Sequence, residues 1–163
     1  MADACPDRSK SILIEGSSIV FTFNYEQEIR GVIPGNGEMS ANLRVADIVS
    51  SLAMKGNVLK DRLKEKDSYD IYAVAGFHMG EPAKAAEAFL SAIKQEGWER
   101  HWAFILSGLR SIERVFESPN SRGSYAVATF VGTDSARIDA FQRVRSFLET
   151  VRKNFLFADS EHI

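Results

Sequence analysis

The strongest turn signal in the chain, Pro34-Gly35-Asn36-Gly37, separates two hydrophobic periods, and that change of period limits the fold more than any other feature. Before it lie short runs rich in β-branched and aromatic residues: Ile12-Leu13-Ile14, Ile19-Val20-Phe21-Thr22-Phe23 and Glu28-Ile29-Arg30-Gly31-Val32-Ile33. Side chains of this kind fit a pleated surface. Glu15-Gly16-Ser17-Ser18 reads as a hairpin turn between the first two runs, so 11–33 is expected to form a small antiparallel sheet with an exposed edge.

After the turn, apolar residues recur at intervals of three and four. Over 44–62 a helix would align Val45, Ile48, Val49, Leu52, Gly56 and Leu59 on one stripe, with Ser40 or Asn42 as its cap. Further helices are expected over 66–77, over 83–95 opened by Pro82 and stopped by Gly97, over 98–116, and over 135–155. The last carries Ile138, Phe141, Val144, Leu148, Val151 and Phe155 in step. Tyr125 to Val131 fits either a short strand or the start of a helix. The fold class is therefore α+β, a small antiparallel β-sheet near the N-terminus followed by a mostly α-helical bundle. With 163 residues the chain suits one domain, placed over 11–157 between polar ends, 1–10 and 158–163, that are expected to be disordered.

The charges of 55–70 form a pattern that solubility does not require. Lys55 and Arg62, one heptad apart, flank the apolar stripe of their helix, where a long side chain buries its stem and lifts its charge. Asp67 and Asp70 follow on one face of the next helix, beside Ile71 and Val74. An ion-pair network between neighbouring helices produces this pattern, and so does a small polar site.

The surrounding residues add a resemblance. Val45-Ala46-Asp47, Leu52-Ala53-Met54-Lys55-Gly56 and Arg62-Leu63-Lys64-Glu65-Lys66-Asp67-Ser68-Tyr69-Asp70-Ile71-Tyr72 are similar to the helical part of nucleotidyltransferase-like proteins of the AbiEii toxin group. Gly123 to Phe130 looks loosely like that group's C-terminal portion. The resemblance implies that Lys55, with Arg62 and Lys66, contacts nucleotide phosphates, and that Lys55 with Asp67 or Asp70 forms the catalytic set. It also implies an upstream Gly-Ser motif followed by paired metal-binding carboxylates. The nearest approach here is Gly16-Ser17-Ser18 with Glu26 and Glu28, and the strand-like 18–25 stands where a helix should follow. On this reading the chain is the C-terminal, substrate-facing part of such a protein, inactive by itself. It holds no metal ligands and no cofactor of its own, and Mg2+ and a nucleoside triphosphate enter only when a metal-binding half completes it. The implied partners are a separately encoded N-terminal half or an antitoxin, and an RNA acceptor; the sheet edge admits a homodimer. The alternatives are a noncatalytic binding or protein-interaction module, and a longer protein whose upstream part carries the motif.

Other features narrow the class. A net charge of -2 gives no global attraction for nucleic acid or an anionic membrane. Cys5, the single cysteine, excludes an internal disulfide and suits a reducing cytoplasm. No apolar run reaches the length of about 20 residues that a membrane helix needs, and no membrane partner is expected. The three histidines match no metal-site spacing. Trp98 and Trp102, at i and i+4, read as core packing in preference to a base-stacking platform.

Overall fold

The computed structural model describes residues 16–62 and 64–158, with side chains described to residue 154. The expected strand at Ile12-Leu13-Ile14, the polar stretches 1–10 and 159–163, and the side chain of Phe155 lie outside the described residues. Among those described, a two-stranded antiparallel sheet near the N-terminus is followed by a helical bundle, an α+β layout.

The run expected as a strand at 19–23 is instead a single helical turn, α1 (Ile19–Thr22). Ile19 and Phe23 are both fully buried, one turn apart, while Phe21 between them is 78% exposed. Burial of that i, i+4 pair outweighs β-propensity, which depends on a pleated surface to pack against. Gly16-Ser17-Ser18 is thus the entry to a helical turn and not a hairpin, with the Ile19 amide donating to the Gly16 carbonyl at 3.1 Å.

The sheet lies one step further along than the expected 11–33. Strands β1 (Asn24–Ile33) and β2 (Gly37–Ala46) pair antiparallel without a bulge, from Asn24 opposite Ala46 to Ile33 opposite Gly37. Pro34, Gly35 and Asn36 turn the chain, the Asn36 amide donating to the Ile33 carbonyl at 2.9 Å. Ser40 and Asn42, expected as caps, sit in β2, and so do Arg44 and Val45, expected in a helix. The cap of α2 (Ile48–Asp61) is Asp47, whose carboxylate accepts from the Ser50 amide at 3.0 Å. Ser50 also donates its hydroxyl to the Phe23 carbonyl at 2.8 Å and so ties α1 to α2.

The bundle continues with α3 (Glu65–Phe77), α4 (Pro82–Ala92), α5 (Trp102–Val115), α6 (Arg122–Val131) and α7 (Ser135–Ala158). A 3-10 turn, Glu99–His101, occupies the start of the expected fourth helix, and the open segment at 125–131 is helical. Helix α2 packs on α5, α3 on α6 and α7, and α4 on α7. Phe89 of α4 and Phe147 of α7, both fully buried, meet edge to face at 5.7 Å. Trp98 and Trp102 also meet edge to face and pack on the core.

Two seams fix the bundle. Gly56 of α2 lies against Gly108 of α5, where a Cβ on Gly56 would stand 2.4 Å from the Gly108 carbonyl oxygen. At the other seam the Tyr72 hydroxyl of α3 donates to Asp139 of α7 at 2.5 Å, and Arg143 of α7 donates to the Gly76 carbonyl and covers the Phe77 ring. Burial and then the Asp139 carboxylate push the Tyr72 phenol up to about 12, above its ordinary 10.0. A raised folded value means that this stabilisation is complete below pH 10.0 and is lost as pH rises toward 12. Tyr72→Phe is expected to cost about 1.5–3 kcal/mol at neutral pH, the worth of a hydrogen bond to a charged group. The tyrosinate absorbance difference between wild type and variant should have its midpoint near 12; a midpoint near 10 would show that Asp139 does not hold the proton.

Candidate functional site

Helix α2 ends at Asp61 and α3 begins at Glu65, so the last turn of one lies beside the first turn of the other. Arg62 adopts an extended backbone, with its amide still donating to the Val58 carbonyl at 3.1 Å. The chain turns there because the apolar faces of both helices, Leu52 and Leu59 on α2 and Ile71 and Ala75 on α3, belong to one core. The borders of those faces carry the charges. All five residues singled out in the sequence, Lys55, Arg62, Lys66, Asp67 and Asp70, come together at this junction.

Lys55 Nζ lies 2.8 Å from Asp67 Oδ1 and 2.8 Å from Asp70 Oδ2. Lys66 reaches the same Asp70 oxygen at 2.9 Å from the solvent side. Arg62 Nε stands 3.5 Å from Asp67 Oδ2. Exposure falls steeply across the group: the Asp67 side chain is 5% exposed, Asp70 25%, Lys55 36% and Arg62 55%. One carboxylate is therefore set into the junction, and the cations form its outer wall. Both aspartates lie in the first two turns of α3, where the unpaired amides of a helix start favour negative charge.

The electrostatics follow from this layering. Burial works against the Lys55 ammonium, but hydrogen bonds to Asp67 and Asp70, and the charges of both, outweigh it and raise the pKa above 10.5. Burial likewise opposes ionisation of Asp70, and the Lys55 and Lys66 contacts override it to hold the carboxyl below 3.8. Both shifts keep Lys55 and Asp70 charged throughout the neutral range. Three cations against two carboxylates leave one net positive charge. An ammonium has three N–H donors, and two of those on Lys55 are used by the aspartates.

Two atoms at this junction lack a close partner. Among the described residues, buried Asp67 Oδ2 accepts no hydrogen bond, its nearest cation being Arg62 Nε at 3.5 Å, and the buried hydroxyl of the neighbouring Ser68 has no hydrogen-bond partner either. Buried acceptors in folded proteins are nearly always satisfied. No family model, curated protein or solved structure matches the chain.

The remaining sequence candidates lie elsewhere. Glu26 and Glu28 stand on the exposed hairpin with Arg44 at 3.9 Å and Arg30 at 2.9 Å as their ion partners. His101 is buried under α1, its Nε2 3.0 Å from the Thr22 hydroxyl; burial, and then the Arg100 charge, lower its pKa. Among the described residues no group of three or more His, Cys, Asp or Glu side chains could hold a metal ion. No helix among them is long and apolar enough to cross a membrane.

A groove that sequence reasoning missed runs between α2 and α5, lined by Met54, Val58, Lys60, Asp61, Phe104 and Ser107. Lys60 reaches across it to hydrogen-bond both Asn57 and Ser107. Only the pairing of two helices distant in sequence creates it, so no local pattern marks it.

Proposed function

We propose that the Lys55 cluster is the nucleotide-facing surface of a nucleotidyltransferase-like protein of the AbiEii kind, present here as the substrate-facing part and inactive without metal-binding carboxylates. The observation that supports this reading is Asp67 Oδ2, a buried acceptor that makes no hydrogen bond among the described residues and has only a 3.5 Å contact to the half-exposed Arg62, inside a cluster with net positive charge. A network built only for stability would close on itself with good geometry; this one closes on Asp67 Oδ2 only through a long contact to Arg62, which would turn to a phosphate, and Lys55 keeps a donor for a phosphate oxygen. Arg62 and Lys66 stand at the rim, where they would neutralise the remaining phosphate charge. Magnesium would arrive with the triphosphate and with a second, metal-carrying half, because the chain's own residues at this site are mostly cationic.

The partners of this reading are that separately encoded half or an antitoxin, an RNA acceptor, and at the hairpin's edge a second copy of the chain, all in the cytoplasm. The exposed β1–β2 hairpin favours a second reading, a noncatalytic interaction module, since it offers a binding surface that no described element covers.

Calorimetric titration with each of the four ribonucleoside triphosphates and Mg2+ separates the readings. Binding with Kd in the tens of micromolar, about 6 kcal/mol of affinity, is expected for at least one nucleotide, without turnover. Lys55→Met and Asp67→Asn, each with wild-type circular dichroism, should lose it. A folded wild-type chain that gives no heat with any of the four, or variants that bind as wild type does, would remove the nucleotide from the proposal.

A further inference from the structure

The β1–β2 hairpin projects from the bundle with nearly every residue exposed. Its register puts Tyr25, Ile29 and Ile33 of β1 and Met39, Ala41, Leu43 and Val45 of β2 on one face. Glu26, Glu28, Arg30, Glu38, Ser40, Asn42 and Arg44 share the other with Val32, its one large hydrophobic residue. Of the exposed large hydrophobic residues, those from Phe21 to Leu43 form the main concentration. Two-stranded hairpins of this kind are marginal in water by themselves and need further strands or a packed face. Natural edge strands are blunted by charged side chains, proline or a bulge; β1 has neither proline nor bulge, and its charges, Glu26, Glu28 and Arg30, are of mixed sign and can pair with a second copy.

We propose that the outer edge of β1, which no described residue pairs with, joins antiparallel to β1 of a second copy about a two-fold axis at Ile29, uniting two hairpins into one four-stranded sheet. Charge selects both the occupant and the register. With the axis at Ile29, Glu28 faces Arg30 of the second copy and Arg30 faces its Glu28. Ile29 then faces Ile29, and Tyr25 faces Ile33 twice. These aromatic and β-branched cross-strand pairs are the favourable ones in sheets. Moving the axis to Glu28 sets Glu28 against Glu28, and moving it to Arg30 sets Arg30 against Arg30; both oppose like charges at the centre. An odd shift would carry the apolar set to the polar face. The alternative edge, β2 about Ala41, would also pair Glu38 with Arg44 and Met39 with Leu43, but its centre is Ala41 against Ala41 flanked by Ser40 against Asn42, without the β-branched and charged pairs that stand at the centre of the β1 arrangement. A two-fold, self-complementary contact of this kind closes on itself as a dimer.

The dimer deepens one partner of the proposed function, the second copy at the hairpin's edge, and involves no residue of the Lys55 cluster, so the two tests fail separately: the oligomer is read by mass without nucleotide, and the nucleotide by heat whatever the mass. Light scattering of the full chain is expected to give twice 18.1 kDa. Glu28→Arg and Arg30→Glu, both on exposed positions that leave the bundle untouched, should each weaken association about tenfold or more, while the double exchange Glu28→Arg with Arg30→Glu restores it. In a Cys5→Ser background, Ile29→Cys should form a disulfide-linked dimer under mild oxidation and Ala41→Cys should not. A chain that keeps its single-copy mass at every concentration overturns the proposal. So does a double exchange that stays monomeric, or cross-linking through Ala41→Cys in place of Ile29→Cys.

Discussion

Gly56→Val is expected to destabilise the fold by about 3 kcal/mol, the upper end of the usual cost of overpacking a core. At Gly56 the first atom of any side chain meets the carbonyl oxygen of Gly108, and backbone cannot rotate away as a flexible side chain can. The reverse contact is also too close, a Cβ on Gly108 standing 2.7 Å from the Ala53 carbonyl oxygen. Relief requires α2 and α5 to separate, which opens the core around Leu52, Ile105 and Leu109. Thermal unfolding should show a drop of about 6–12 °C, given that each kcal/mol shifts Tm by about 2–4 °C in a chain of this size. A variant within a degree or two of wild type would mean that the helices do not approach this closely in solution.

Lys55→Met is expected to cost about 2–3 kcal/mol at pH 7. The substitution keeps the apolar stem and removes the ammonium that pairs with the buried Asp67. Breaking a fully buried pair costs about 3–5 kcal/mol, and the third of Lys55 left in water, with Arg62 still near Asp67, moderates that here. The dependence on pH follows from both partners. Asp70 is held below 3.8, so its share of the stability is present above pH 3.8 and is lost as pH falls through the lower folded value. Lys55 is held above 10.5, so its share is complete below pH 10.5 and is lost as pH rises through the higher folded value. The gap between wild type and variant should be a plateau between these limits and should narrow at either end. Urea titrations at pH 3 and pH 7 that give the same gap would show that the carboxylates are not its source.

Much of the helical half was legible because its signals are periodic and local. Ile48, Val49, Leu52, Gly56 and Leu59 lie on the buried stripe of α2 as their spacing requires, and Pro82 opens α4. The charge cluster was legible for the same reason: Lys55, Arg62, Asp67 and Asp70 lie on stripe borders of consecutive helices joined by a short connection, which restricts where they can meet. Residues 38–46 were harder, because Val45 continues the helical stripe of α2 as well as the alternation Met39, Ala41, Leu43. Pairing with β1 decides between the two patterns, and pairing is not a local property. At 19–23 strand-forming residues make a helical turn because the bundle offers a buried place to Ile19 and Phe23 together. Neither the unsatisfied oxygen of Asp67 nor the glycine seam could be read from the chain, since each depends on atoms brought in from another element.

Lys55 and Gly56 are consecutive, so the polar cluster and the tightest helix seam lie about 100° apart on the same turn of α2. A helix held at backbone contact on one side has no freedom to roll or slide and carry the lysine toward a ligand. The ammonium is instead preorganised, fixed at its post before anything binds, and little conformational entropy remains to be lost there on association. What can still move is the outer rim, Arg62 and Lys66, whose long exposed side chains would close over a ligand that the buried part of the site had already positioned.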